Sequence, residues 1–600
     1  MERKRTSWTL LIVALVLMLG GSLLGSWINT GAGAATVTEI KINETKGYSI
    51  SAYLYTPKSA SAQTPAPAIL MIHGLNNQKN YMSNTALEMA RRGYVVLSID
   101  MTGHGFSNGG NGENAYGGID ALNYLRSLNT VDVNNIGLVG MSQGGFGPVT
   151  AAANALPDAY QSIFYMESEC TPPGSPDISS CVNLKNIAFN IGKVTELAGM
   201  VLAGRGTDAP VSPVIQPVFG TEDPIEEGKI YGSIEEGTAR ILYQPWEDHA
   251  GSTDAPAAIA NVIDWMGKTL KGGSALPASD QIWGWKLFGT SAALLGAFLF
   301  LFAMGSLLLT TSSFKDLVQP VPEYKGLKGI NWWIGALITT AIGPLLYVWV
   351  FQGMFFGAWI PTNYLWPQNF TNIYMVWSVI VGVITIALLF FNHFVTTKKQ
   401  GATSENYGLV TSGKGIEWNK VWKSIFMAVV ILLPVYLILC FTTAVLKVDF
   451  RAWVVAMMPM NGARWSAFLG YLVPFAIYFV PMAILFGGFL RPKEGKLSLG
   501  REMVVNSIIL TLGAAAWLLL FYIPIMTGAD LIIKGSGFLG PMAAGMGAIY
   551  YIPLVVLWPV VACIYTYFFR KTGRVFVGAA LATLFMVWYL AAFGVFAVAM

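Results

Sequence analysis

Eight long, predominantly apolar runs downstream of Trp285 constrain this chain more than any other feature. A helix rises 1.5 Å per residue, so about 20 apolar residues cross a hydrocarbon core of about 30 Å. Water is absent there to satisfy backbone polar groups, and a continuous apolar run solves that problem as a helix. The runs lie near 285–309, 332–356, 372–395, 421–446, 463–490, 503–526, 545–569 and 575–599, and a ninth, 8–28, follows Arg3, Lys4 and Arg5. Only 12% of residues are charged and 54% are apolar, the balance of a chain largely dissolved in lipid.

The loops between runs carry a second signal. Basic residues gather at Lys315, Lys325 and Lys328; at Lys398, Lys399, Lys414 and Lys420; at Arg491, Lys493, Lys496 and Arg501; and at Arg570, Lys571 and Arg574. The intervening loops 357–371, 447–462 and 527–544 hold none, two and one. That alternation is the positive-inside pattern, with the N-terminus inside and residues 36 onward and the C-terminus outside. The net charge of +4 is modest and sits beside the spans, a topology signal rather than a nucleic-acid footprint. Run 8–28 exceeds a signal-peptide core and reads as an uncleaved anchor, with cleavage after Ala32-Gly33-Ala34 as the competing reading.

Three regions follow: 1–35, an N-terminal anchor or signal; 36–275, of ordinary polar content; and 276–600, a polytopic membrane region of about eight helices. In the middle region 37–42 and 48–55 alternate as a hairpin around Asn43–Gly47. Apolar strands 68–74, 94–100, 135–139, 162–166 and 239–244 then alternate with helices 84–92, 116–128 and 254–270, Asp254 being placed to cap the last. Such alternation predicts an α/β fold with a mostly parallel sheet covered on both faces.

Strand 135–139 runs into Gly140-Met141-Ser142-Gln143-Gly144, followed by small residues able to start a helix. G-x-S-x-G between strand and helix makes a turn so tight that its flanks need glycine, and it lifts the serine hydroxyl clear of the sheet edge. With His73-Gly74 after the third strand, Asp100-Met-Thr-Gly-His-Gly-Phe-Ser107 after the fourth and His249 after the last, residues 36–272 resemble the α/β-hydrolase superfamily. The resemblance implies the fold and a serine nucleophile but no substrate, and it does not extend to 276–600.

A serine hydroxyl needs a neutral imidazole to accept its proton. The family order is serine, acid, histidine, which His249 alone satisfies; His73 is expected to shape the oxyanion loop and His104 to order its own. Two acids remain open. Asp223 ends 211–219 in a Gly-x-x-Asp manner, but Pro213 and Pro217 interrupt that run. Glu196 follows the proline-free alternative 186–192. Glu167 and Glu169 are outsiders after the sixth strand, and a degenerate triad is a further possibility. The resemblance places the oxyanion donors at the backbone N–H groups of Gln143 and Leu75. Glycines 109, 110 and 112 read as a flexible rim. Cys170 and Cys181 are close enough to pair if the region faces an oxidising compartment. No metal-ligand spacing is present, and no cofactor is expected.

The leading reading is a membrane-anchored extracytoplasmic serine hydrolase acting on an ester, thioester or amide through an acyl-enzyme on Ser142. Its expected partners are the lipid bilayer and a small-molecule, lipid or peptide acyl substrate. The alternative is a transport or lipid-handling protein whose hydrolase-like region only binds. A third reading joins the two, with the spans presenting a lipid-like acyl substrate at the outer leaflet. Segment 451–458 reads as a short helix on the outer surface.

Overall fold

The computed structural model describes residues 2–43, 47–202, 204–355, 359–411, 415–532 and 540–597. The hairpin turn at 44–46, Lys414 and residues 533–539 of loop 527–544 fall outside the described residues.

Eight strands form one sheet: β1 (Ala35–Asn43), β2 (Ser49–Pro57), β3 (Ala66–Ile72), β4 (Val95–Ile99), β5 (Val131–Met141), β6 (Ser162–Met166), β7 (Ile187–Asn190) and β8 (Arg240–Tyr243). Their order is β1-β2-β4-β3-β5-β6-β7-β8. The pairs β1–β2 and β2–β4 are antiparallel, and all others from β4 to β8 are parallel. Strands β3, β4, β6, β7 and β8 are buried at every residue, which is why they read as unbroken runs rather than alternating ones.

The helices in chain order begin with α1 (Glu2–Asn29), which precedes the sheet. Those interleaved with strands are α2 (Ser83–Arg91), α3 (Gly118–Ser127), α4 (Thr150–Ala155), α5 (Ala198–Val201), α6 (Gln216–Phe219) and α7 (Pro256–Thr269). One sheet face packs Ile69, Met71 and Val96 with Leu87 of α2 and Trp265 of α7. The other packs Leu70, Ile72 and Leu97 with Leu122 of α3 and Ala152 of α4. The expected two-faced α/β layering is present.

After the sheet come α8 (Trp283–Leu308), α9 (Gly329–Phe355), α10 (Asn369–Asn392), α11 (Trp418–Phe441), α12 (Gly462–Ile484), α13 (Leu499–Thr527), α14 (Gly540–Thr572) and α15 (Phe576–Phe593). With α1 they account for the nine helices among the described residues that are long and apolar enough to cross a membrane. The first span lies along α8 at small residues: a Cβ added to Gly289 would fall 2.6 Å from the carbonyl oxygen of Gly21. Such close backbone approach is how helices associate where lipid is as apolar as leucine.

Four local readings change. Run 211–219 is not a strand: it is the end of a 3-10 turn (Gly206–Val211) followed by the short α6, because Pro213 and Pro217 remove ladder donors. Segment 451–458 is a hairpin, β9 (Phe450–Ala452) and β10 (Val455–Met457), turning at Trp453 with φ 49°. Helix α7 starts at Pro256 with Ala255 at its N-cap, so Asp254 does not cap it and instead accepts a 2.6 Å hydrogen bond from Asn84 Nδ2. The last span stops at Phe593. Beyond it the chain turns extended, and Phe596 exchanges backbone hydrogen bonds with Gly103 (2.9 Å) and Asn111 (3.0 Å).

The span ends fall into two sets. Against the sheet body lie Asn29 (to Tyr55), Lys286 (to Asn84), Asp449 (to Asn80), Arg464 (to Gly105) and Asp530 (to Arg205). At the opposite ends the basic loops pair among themselves: Lys420 and Lys423 with Asp316, Arg574 with Glu417, and Arg570 with Glu502.

Candidate active site

Strand β5 delivers Ser142 on the expected bend. Its φ is 51°, the left-handed region that a serine adopts only when its surroundings impose it. The imposition is visible: Ser142 N–H donates to the Met166 carbonyl (2.9 Å), while its own carbonyl accepts from Gly145 N–H (2.8 Å) and Ser168 Oγ (2.7 Å). The flanking glycines are required by contact. A side chain at Gly140 would strike Gly145, and one at Gly144 would strike the Ile72 and His73 carbonyls. The chain is helical from Gln143 through Ala155, so the Gln143 N–H opens a helical segment beside the serine.

The turn after β3 lies directly over Ser142: a Cβ at Gly74 would sit 3.0 Å from Ser142 Cβ. Two buried histidines shape this turn. His73 donates from Nδ1 to the Gly74 carbonyl (2.7 Å) and accepts at Nε2 from Met101 N–H (3.1 Å). His104 donates from Nδ1 to the Thr102 carbonyl (3.0 Å) and accepts at Nε2 from Asn76 N–H (3.1 Å). Both Nε2 atoms are acceptors, so both rings are neutral, and neither offers a lone pair to a substrate proton. Burial reinforces this, holding His73 down to about 4 and His104 well below the ordinary histidine value. Asp100 clamps the same turn. It accepts from Lys79 N–H (2.6 Å), Lys79 Nζ (2.8 Å) and Phe106 N–H (3.0 Å), with both side chains buried.

His249 follows β8 and opens on the same cavity as Ser142. Its Nδ1 is buried without a hydrogen-bond partner and faces Glu167 Oε2 at 3.6 Å. That separation is longer than a hydrogen bond. Glu167 leaves β6 with φ 48°, and its Oε1 is fixed by Gly192 N–H (2.5 Å).

Neither acid favoured by the sequence holds this position. Asp223 is exposed on a turn after α6, where its backbone meets Thr221 and Gln216. Glu196 does lie beyond β7, but its Oε2 accepts from the backbone N–H of His249 (2.7 Å) and its Oε1 from the Tyr522 hydroxyl of α13. Glu196 therefore positions the loop bearing His249, rather than the ring. Glu169 is fully buried with neither oxygen partnered. The glycine-rich rim is pinned, Gly110 N–H to Glu113 (2.7 Å) and Asn111 N–H to Phe596, and does not border the cavity. Cys170 and Cys181 are bonded, their Cα atoms 5.5 Å apart. No group of His, Cys, Asp and Glu able to hold a metal exists among the described residues.

Sequence reasoning missed the contribution of the helical bundle. The turn after β3 is held from that side: the Tyr550 hydroxyl donates to the Leu75 carbonyl (3.3 Å), Val595 N–H to Asn76 Oδ1 (2.7 Å), and Gln78 Nε2 to the Ala592 carbonyl (3.1 Å). The cavity itself is walled by Met546, Ile549, Tyr550 and Pro553 of α14, by Phe593 of α15, and by Val454. Nothing in 276–600 marked these residues, since tyrosines and prolines near span ends also serve as interface anchors and kinks.

Burial crowds carboxyl groups around His249. It raises Glu196 to about 8, with nearby Asp248 adding to the shift, and Glu247 to about 9, with Glu167 adding. The native protein thus holds protons between about pH 4.5 and 8 that the unfolded chain has released, so stability should fall as pH rises through that window. The melting temperature in detergent should decline from pH 5 to 9, and Glu196→Gln should flatten the decline. An equal slope in the variant would contradict this.

The chain resembles hydrolases. The family model of the X-Pro dipeptidyl-peptidases (S15 family) matches residues 46–167. Among solved structures, a thioesterase domain from the curacin biosynthetic pathway is 26% identical over 22% of this chain and 43% of its own, with a TM-score of 0.18. A bacterial heroin esterase is 14% identical over 40% and 86%, with a TM-score of 0.29. Est1E from Butyrivibrio proteoclasticus, solved with ferulic acid, is 16% identical over 38% and 99%, with a TM-score of 0.26. The chain spans less than half the length of the first of these. No curated protein matches. Strand order and parallel pairing make the fold class that of the α/β hydrolases, joined to a bundle of long apolar helices.

Proposed function

We propose that this protein is a membrane-embedded serine hydrolase that works through an acyl-enzyme on Ser142, with His249 as general base and Glu167 as the acid behind it. The carrying observation is that Ser142 and His249 open on one cavity while Glu167 Oε2 faces Nδ1 of that imidazole at 3.6 Å. Ser142 Oγ attacks the substrate carbonyl carbon as its proton passes to His249 Nε2. Glu167 stabilises the imidazolium that forms, and the N–H groups of Gln143 and Leu75 receive the developing oxyanion. The bond to the leaving group breaks as His249 returns the proton to it. Water then repeats the sequence on the acyl-serine, releasing the acid and restoring the hydroxyl. A chromogenic ester mixed with excess enzyme should give a burst of one equivalent, with the acyl group on the Ser142 peptide in quenched samples. Turnover without burst or adduct would point to a different mechanism.

The sheet body is proposed to face the outside of the cell. The alternating basic loops and the Cys170–Cys181 bond support this orientation. Glu235→Cys, at an exposed position, should react with a membrane-impermeant maleimide in intact cells. Reaction only after permeabilisation would reverse the topology.

A further inference from the structure

We infer, resting on the reading of Ser142 as nucleophile, that the substrate is a long-chain acyl ester of a bilayer lipid, whose chain lies along α14. The cavity is lined by few polar groups, Ser142, His249, Asn76 and Asn77 among them, and otherwise mostly by apolar and aromatic side chains. Met546, Ile549, Tyr550 and Pro553 recur at i, i+3, i+4 and i+7, one face of one helix, and they run for about 10 Å along its axis. That helix is long and apolar enough to cross a membrane, so a chain lying along the stripe would extend from Ser142 toward the depth that lipid chains occupy. The sheet body contributes Leu75, Met141 and Leu197 to the same lining.

Burying apolar surface yields about 25 cal/mol per Å², so such a slot rewards an extended chain and gives a short acyl group little to hold. A peptide is the poorer fit. A substrate presented by its amino terminus brings an ammonium that needs a counter-charge when buried, and no Asp or Glu lines the cavity among the described residues. The slot also accounts for a bundle larger than any tether requires, since α14 supplies one wall of the cavity and α15 another part of it.

The experiment uses the full-length protein in nanodiscs and two fluorophosphonates, one ethyl and one dodecyl with a diazirine at the chain end. Both should modify Ser142, the dodecyl reagent at least tenfold faster, and irradiation should join its tail to the peptide containing 546–553. Equal rates, or a tail joined outside α14, would overturn the lipid-chain assignment while leaving the nucleophile in place. Failure of both reagents to modify Ser142 would overturn the underlying reading instead. Ile549→Trp should reduce the dodecanoyl-to-acetyl ratio of kcat/KM at least tenfold, and an unchanged ratio in folded protein would contradict the slot. Turnover of a glycyl-prolyl anilide above that of a dodecanoyl ester would assign a peptide substrate and overturn the inference.

Discussion

Replacing Ser142 by alanine is expected to lower kcat about a million-fold, and His249→Ala should cost a similar amount. Nucleophile and base act as one unit, so the double variant should be little worse than either single one. What survives, roughly 10³–10⁴ over water, would come from the oxyanion donors and from binding. The alanine protein should still fold. The bend at residue 142 is imposed by bonds from its backbone to Met166, Gly145 and Ser168, none of which uses the lost hydroxyl. The check is kcat on a dodecanoyl ester, paired with a melting curve showing a folded variant. Retention of more than about one per cent of wild-type kcat would remove Ser142 from the chemistry.

Glu167→Gln should lower kcat by about 10⁴-fold, the cost seen when the acid of a Ser-His-Asp triad is made neutral and the imidazole loses its orientation and its counter-charge. The amide keeps the size of the carboxyl and can keep the bond from Gly192, so the loss would report on charge facing His249 rather than on collapse of the turn. The comparison with the other acids makes the test sharp. Asp223→Asn alters an exposed turn and should change kcat by less than about twofold. Glu196→Gln keeps an oxygen for the His249 N–H, so it should affect kcat far less than Glu167→Gln does, through the loop rather than the ring. A ranking with Asp223 or Glu196 at the top would restore the family order of strand and acid.

Much of this architecture was readable because its causes are local. Buried parallel strands and helices long and apolar enough to cross a membrane both appear as uninterrupted apolar runs, and the elbow announces itself through glycines that contact makes unavoidable. Prolines likewise exposed 211–219 as a poor strand and favoured 186–192, where β7 runs. The acid was less legible. A sequence shows that Glu167 follows a strand, but not that its backbone turns to φ 48° and swings the carboxylate toward His249. Glu196 sits where the family order expects an acid and is occupied with a different task, bridging the His249 backbone and Tyr522. The hairpin at 450–457 was misread because its turn depends on one non-glycine residue, Trp453, in a left-handed conformation. The dependence of the turn after β3 on Tyr550, Val595 and Ala592 is written across 475 to 519 residues of separation, a distance over which no spacing rule operates.

The central claim is that Ser142 is activated by His249 with Glu167 behind it. Its most direct test is the rate at which a dodecyl fluorophosphonate modifies the wild-type protein and Glu167→Gln, read by mass spectrometry of the Ser142 peptide. The account predicts rapid, stoichiometric modification at Ser142 in the wild type and a rate lower by several orders of magnitude in the variant. Modification at another residue, or equal rates in the two proteins, would contradict it.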